Sequence, residues 1–155
     1  MQQPDAHFQP RLSQVHNEKG SKRVVVTKAL PGDRWLDVLT SAGCRVEVCT
    51  HPDTILSVST ITQLIGDRCD GAIGQLTEDW SDVAFGALNA AGSSAYSNYA
   101  VGYNNVNVGD ATKHGVAVGN TPGAVKGWGR RFAVQGLGWK VRGGRVGHQG
   151  LWSGP

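Results

Sequence analysis

Apolar positions along this chain fall into short runs divided by turn signals, and their period alternates between two and about three and a half. Arg23–Thr27 (RVVVT) is short and β-branched, which predicts a buried strand. Pro31-Gly32-Asp33 marks a turn. Asp33 is a candidate N-cap for a helix over Trp35–Ala42, with Gly43 as its stop. Arg45–Cys49 (RVEVC) alternates as a second strand. Ile61, Leu64 and Ile65 share one face of a helix over Ser59–Ile65, ended by Gly66. Gly71–Ile73 is a short third strand. Val83, Ala87 and Leu88 recur at helical spacing within Ser81–Ala90. Ala95–Asn98 reads as a fourth strand, Val108–His114 as a short helix stopped by Gly115, and Val116–Val118 as a fifth strand.

Strand–helix alternation with short apolar strands predicts an α/β fold. Its sheet is open and mainly parallel, with helices on both faces. Ligands of such sheets bind outside the carboxyl ends of the strands. That singles out three loops: Pro31–Arg34, Gly74–Trp80 and Tyr99–Asn105.

Length and composition narrow the class. The 155 residues suffice for one domain. No run of about 18 apolar residues exists, so no membrane-spanning helix is expected. Three cysteines, Cys44, Cys49 and Cys69, are too few for a disulfide scaffold and match no zinc spacing. The formal charge of +3 hides two compositions. Residues 1–123 carry all 12 acids and a net −3, whereas residues 124–155 carry no acid and a net +6. That last stretch also holds 9 of the 22 glycines and 3 of the 5 tryptophans, without apolar period. Its Gly, Arg and Trp content resembles noncoding sequence read in frame. Residues 1–21 are polar and aperiodic, which predicts a disordered leader.

Candidate chemistry lies in two loops. Glu78 and Asp79 are neighbouring carboxylates, conceivable as an acid–base pair. Acids are common in first helical turns, so a solvated helix start is the expected reading. Val101-Gly102 follows a strand end, where free backbone N–H groups can hold an anion such as a carboxylate. An ordinary turn rich in Gly and Asn fits the same spacing, and both readings stand open. His51 and His114 sit in a turn and at a helix end, positions expected to be structural. There is no GxSxG and no GxGxxG; Gly136-Leu137-Gly138 is followed by Val141 where a third glycine belongs.

Cys69–Phe85 (CDGAIGQLTEDWSDVAF), Ser97–Val108 (SNYAVGYNNVNV) and His114–Gly123 (HGVAVGNTPG) resemble the D-isomer-specific 2-hydroxyacid dehydrogenases. Within that family they are most similar to the NADH-dependent hydroxypyruvate reductases, or glycerate dehydrogenases. RVVVTKALPGDRWLDVL, CRVEVCT and TILSVSTITQLIGDRCDG fit the same family, so the resemblance spans about residues 22–123. It implies a flavodoxin-like substrate-binding domain into which, in the whole enzyme, a Rossmann domain is inserted. It implies reduction of hydroxypyruvate to D-glycerate, and of glyoxylate to glycolate, with NADH or NADPH. By the same resemblance, Val101 and Gly102 hold the substrate carboxylate and the loop with Gln75 and Leu76 faces the pocket. None of the four supplies proton or hydride.

After Asn120-Thr121-Pro122-Gly123 the family continues with a V-L-T-E-T-T-A-E-like helix, where this chain reads Ala124-Val125-Lys126-Gly127-Trp128-Gly129. The family's nucleotide-binding glycines and its catalytic Arg, Glu and His have no counterpart in the 155 residues. The expectation is therefore an N-terminal fragment, with residues 22–123 an incomplete substrate-binding domain and 124–155 a non-family tail, disordered or mistranslated. Alone, it is expected to bind no NADH or NADPH and to be inactive. The whole enzymes are dimeric through the nucleotide domain, so this chain is not expected to pair. The expected compartment is cytoplasmic by default for this chain and peroxisomal or mitochondrial for the whole enzyme. The alternative is a noncatalytic protein whose basic tail, with Trp128, Trp139 and Trp152, contacts nucleic acid.

Overall fold

The computed structural model describes residues 13–52, 55–121 and the backbone of 133–135. Its strands are β1 (Ser13–His16), β2 (Lys22–Val26), β3 (Cys44–Cys49), β4 (Gly71–Gln75), β5 (Ala95–Tyr99), β6 (Ala117–Asn120) and β7 (Ala133–Gln135). The helices are α1 (Arg34–Ser41), α2 (Val58–Ile65), α3 (Asp82–Ala90) and α4 (Val108–Lys113). The strands form one sheet in the order β1-β3-β2-β4-β5-β6-β7. The five inner strands are parallel. Counted among themselves in chain order they run 2-1-3-4-5, the flavodoxin-like arrangement.

The pleat explains why near-continuous apolar strands suit this sheet. Val25 and Val26, successive residues of β2, belong to two separate cores on opposite faces. One core is small: Leu36 and Leu39 of α1 lie on Val26, Val46 and Val48. The other is large, with Ile61 and Leu64 of α2 and Phe85 and Leu88 of α3 over Ala72 and Tyr96. Trp80, Phe85 and Tyr96 meet at its centre, with ring centroids 4.1 to 5.9 Å apart.

Local capping bounds α2, and of these signals the Gly66 stop acts as read. Ser57 caps α2 by accepting from the Thr60 N–H at 3.2 Å, and Gly66 ends it at φ +63°. Arg23 then donates to the Leu64 and Ile65 carbonyls at that helix end, and to Glu47. Burial pushes the Glu47 carboxyl up, but the hydrogen bonds and charges of Arg23 and Arg45 outweigh this and hold it below the usual range.

Four expectations need correction. Ser13–His16 is not part of a disordered leader: it pairs antiparallel with β3, from Ser13↔Cys49 to His16↔Val46. The outer edge of β3 offers unpaired backbone groups, which bond any strand whatever its side chains. Asp33 occupies the N-cap position of α1, but its side chain makes no capping bond, and φ −107°, ψ −16° is not the extended cap geometry. Val83 is 60% exposed, and the buried stripe of α3 is Ala84, Phe85 and Leu88. Crowded apolar positions allowed either stripe, and packing against the sheet selects one. Finally, part of the basic tail is built into the sheet, as Ala133–Gln135 pairs antiparallel with β6. Residues 1–12 and the rest of the tail lie outside the described residues.

Candidate functional site

The strand order reverses between β2 and β4, so the crevice of this sheet opens beyond their carboxyl ends. Thr27 follows β2 there, and Gln75 ends β4. Glu78 bridges them. Its Oε2 accepts from the Thr27 hydroxyl at 3.0 Å, the Gln75 N–H at 3.0 Å and the Trp80 indole N–H at 3.1 Å. Glu78 is 1% exposed, and its Oε1 has no hydrogen-bond partner among the described residues. The expectation of a solvated helix start is thus corrected. Burial is tolerated because three donors converge on one oxygen. Asp79 is exposed, so the two acids do not share a site, and α3 begins only at Asp82. Inside this turn Thr77 sits at φ +81°, a conformation costing about 1–3 kcal/mol for a β-branched residue.

The loop after β5 is held by its carbonyls. Asn98 donates to the Gly102 carbonyl at 3.1 Å, and Asn120 to the Val101 carbonyl at 2.8 Å. The Thr121 N–H and hydroxyl both reach the Ala100 carbonyl. With those oxygens engaged, the N–H groups of Val101, Gly102 and Tyr103 make no hydrogen bond among the described residues, and the segment is exposed. Such unengaged amides carry fixed partial positive charge suited to an anion.

The two loops are tied together. The Tyr96 hydroxyl donates to Asn98 Oδ1 at 2.9 Å, and Asn98 Nδ2 to Asn105 Oδ1 at 3.0 Å. Asn105 Nδ2 in turn donates to the Gln75 and Glu78 carbonyls at 3.0 and 2.9 Å. Burial, and then the Glu78 charge, push the Tyr96 hydroxyl well above its ordinary value, which keeps it a donor. The structure therefore brings Gln75 and Gly102 into one network. Leu76 (53% exposed) and Val101 (40% exposed) stand at its surface. An open depression of about 720 Å3 lies between the loops, lined by Thr77, Asp79, Tyr103 and Asn104 among others, but not by those four residues.

Other candidates fall outside this network. His114 caps α4 and lies 2.8 Å from Asp82, while the His51 carbonyl accepts from Lys28. No cluster of three metal-ligating side chains exists among the described residues. Their strand–helix turns carry no glycine-rich dinucleotide cradle. Thr27, Trp80, Asn98, Asn105 and Asn120 escaped the sequence reading. A signal existed for Asn98, which falls within the strand read over Ala95–Asn98, where Asn is disfavoured unless its amide has work elsewhere; Asn120 joins a strand only in the structure.

Comparison with known proteins places the chain in a family. Residues 24–126 match the model of the D-isomer specific 2-hydroxyacid dehydrogenase catalytic domain. Over 116 residues, 75% of this chain, the sequence is 60% identical to glycerate dehydrogenase of Cucumis sativus. It is 58% identical, over an equal length, to the peroxisomal glycerate dehydrogenase HPR of Arabidopsis thaliana. The match spans 30% of the length of each of these relatives. Among solved structures, the TT0316 protein of Thermus thermophilus superposes with TM-score 0.57 at 30% identity, covering 65% of this chain and 30% of that one. An NAD+-bound 3-phosphoglycerate dehydrogenase of Entamoeba histolytica shares the fold, with TM-score 0.54 at 20% identity over 66% of this chain and 33% of that one. By sequence, and with a fold shared by solved structures, the chain belongs to the D-isomer specific 2-hydroxyacid dehydrogenase family, as part of its catalytic domain.

Proposed function

We propose that this chain supplies the substrate-binding face of a hydroxypyruvate reductase, a glycerate dehydrogenase acting on hydroxypyruvate and glyoxylate. In this reading the substrate carboxylate rests on the N–H groups of Val101 and Gly102, and Gln75 and Leu76 line the pocket beside it. The observation that carries the proposal is the set of amides beyond β5 whose carbonyl partners are all tied inward. Backbone amides pre-aimed by buried side chains bind an anion without reorganisation at the moment of binding.

NADH or NADPH supplies the hydride in the family's reaction. The described residues do not fit such a dinucleotide, since none of their strand–helix turns is a glycine fingerprint. No step of the reduction is derived from them. Their task is to bind and orient a 2-oxo acid. The name of the Arabidopsis relative supports a peroxisomal setting for the whole protein.

The test is a titration of the 15N-labelled chain with hydroxypyruvate. The amide signals of Val101, Gly102 and Leu76 are expected to move saturably, and oxalate is expected to compete. Uniform small shifts across the chain, or none at these amides, refute the assignment.

A further inference from the structure

Resting on that reading, we infer that Glu78 is a positioning residue, whose buried carboxylate holds the Gln75–Thr77 turn in its substrate-binding shape. It need not touch substrate, since the oxygen that makes its bonds faces Thr27 and Trp80.

Three observations converge on this role. First, Glu78 reaches back along its own chain to the Gln75 N–H, while its N–H approaches the Gln75 carbonyl at 3.4 Å. Within this turn, held from both sides, Thr77 adopts the left-handed conformation at φ +81°. Nothing in the Thr side chain favours that conformation, so tertiary bonds must hold it. Second, the same oxygen bonds the ends of β2 and β4 and the indole at the centre of the core. The turn is thereby referenced to the rigid sheet across the crevice where the strand order reverses. Third, the Leu76 and Thr77 N–H groups form no hydrogen bond among the described residues, and Leu76 projects into solvent. A turn that left its amides free and its β-branched residue strained would relax without the Glu78 anchor.

Reach and acceptor geometry matter here, and charge does not. A negative charge beside a site for an anionic substrate opposes its binding. Glutamine keeps the length and one acceptor oxygen. Aspartate keeps the charge but is one methylene too short to bond Thr27, Gln75 and Trp80 together.

The experiment compares the full 155-residue chain with its Glu78→Gln and Glu78→Asp variants. Amide spectra of Leu76 and Thr77 and the Trp80 indole proton are recorded without ligand, then during hydroxypyruvate titration. Glu78→Gln is expected to keep the turn signals near wild type and to bind within about threefold. Glu78→Asp is expected to displace them and weaken binding about tenfold or more, the scale of one lost hydrogen bond. Wild-type spectra and affinity in Glu78→Asp overturn the inference and leave the proposed function standing. Impaired binding in Glu78→Gln with normal binding in Glu78→Asp overturns it too, because charge would then be what counts. A wild-type chain with no saturable response overturns the proposed function, and the inference with it.

Discussion

Asn98 shows how much one side chain decides here. Its Oδ1 satisfies the Tyr96 hydroxyl, and its Nδ2 holds the Gly102 carbonyl and Asn105. Replacing Asn98 with Ala removes these bonds and strands a buried phenol, an outcome expected to cost about 1–3 kcal/mol. Urea unfolding of Asn98→Ala measures the loss, and unchanged stability would show the network to be ornamental. The same variant is expected to bind hydroxypyruvate more weakly, since the Gly102 carbonyl can then turn and its amide with it. Single asparagines matter this much because inside a low-dielectric core each amide must find both donor and acceptor partners.

Between elements, α3 and α4 are strapped at the surface. Asp82 Oδ1 receives Lys113 Nζ at 2.7 Å and His114 Nε2 at 2.8 Å. Hydrogen bonds from Lys113 and then His114 hold the Asp82 carboxyl below the ordinary aspartate range. The folded state therefore binds that proton less readily than the unfolded chain. The stability it adds is present above about pH 4 and is lost as the pH falls below that. Lys113, raised by the same partner, contributes fully below its ordinary value and loses its contribution at more alkaline pH. Both groups are exposed, so the effect is small and screened by salt. Melting temperatures at pH 5 and pH 3 are expected to differ less for Asp82→Asn than for wild type. An equal difference in both would show that the strap carries no linkage. The α3 stripe teaches the same lesson at this scale. Val83 and Phe85 look alike to a periodicity count, and only the sheet beneath them decides that Phe85 goes in.

At the scale of the molecule, the parallel sheet places both candidate loops at one end, and function follows from that placement. Binding to the folded state alone stabilises it, by about 2.7 kcal/mol at a ligand concentration one hundred times Kd. Reduction needs more than binding. The purified 155-residue chain is expected to leave NADH absorbance unchanged with hydroxypyruvate, since no described turn fits a dinucleotide. Steady, hydroxypyruvate-dependent NADH oxidation by the pure chain overturns that expectation.

The sequence by itself determined the alternation of strands and helices and the parallel character of the sheet's centre. Those features are local: β-branched runs, helical stripes and stops such as Gly66 act over a few residues. The family was legible for the same reason, in unbroken stretches such as SNYAVGYNNVNV. Tertiary structure alone decided that Ser13–His16 joins the sheet, that Glu78 is buried while Asp79 is not, and that Asn98, Asn105 and Asn120 clamp the loops. Each depends on partners distant in sequence: Thr27 and Glu78 are 51 residues apart, and Asn105 and Gln75 are 30. A polar residue's environment is set by which strands come to lie beside one another. No window along the chain contains that information.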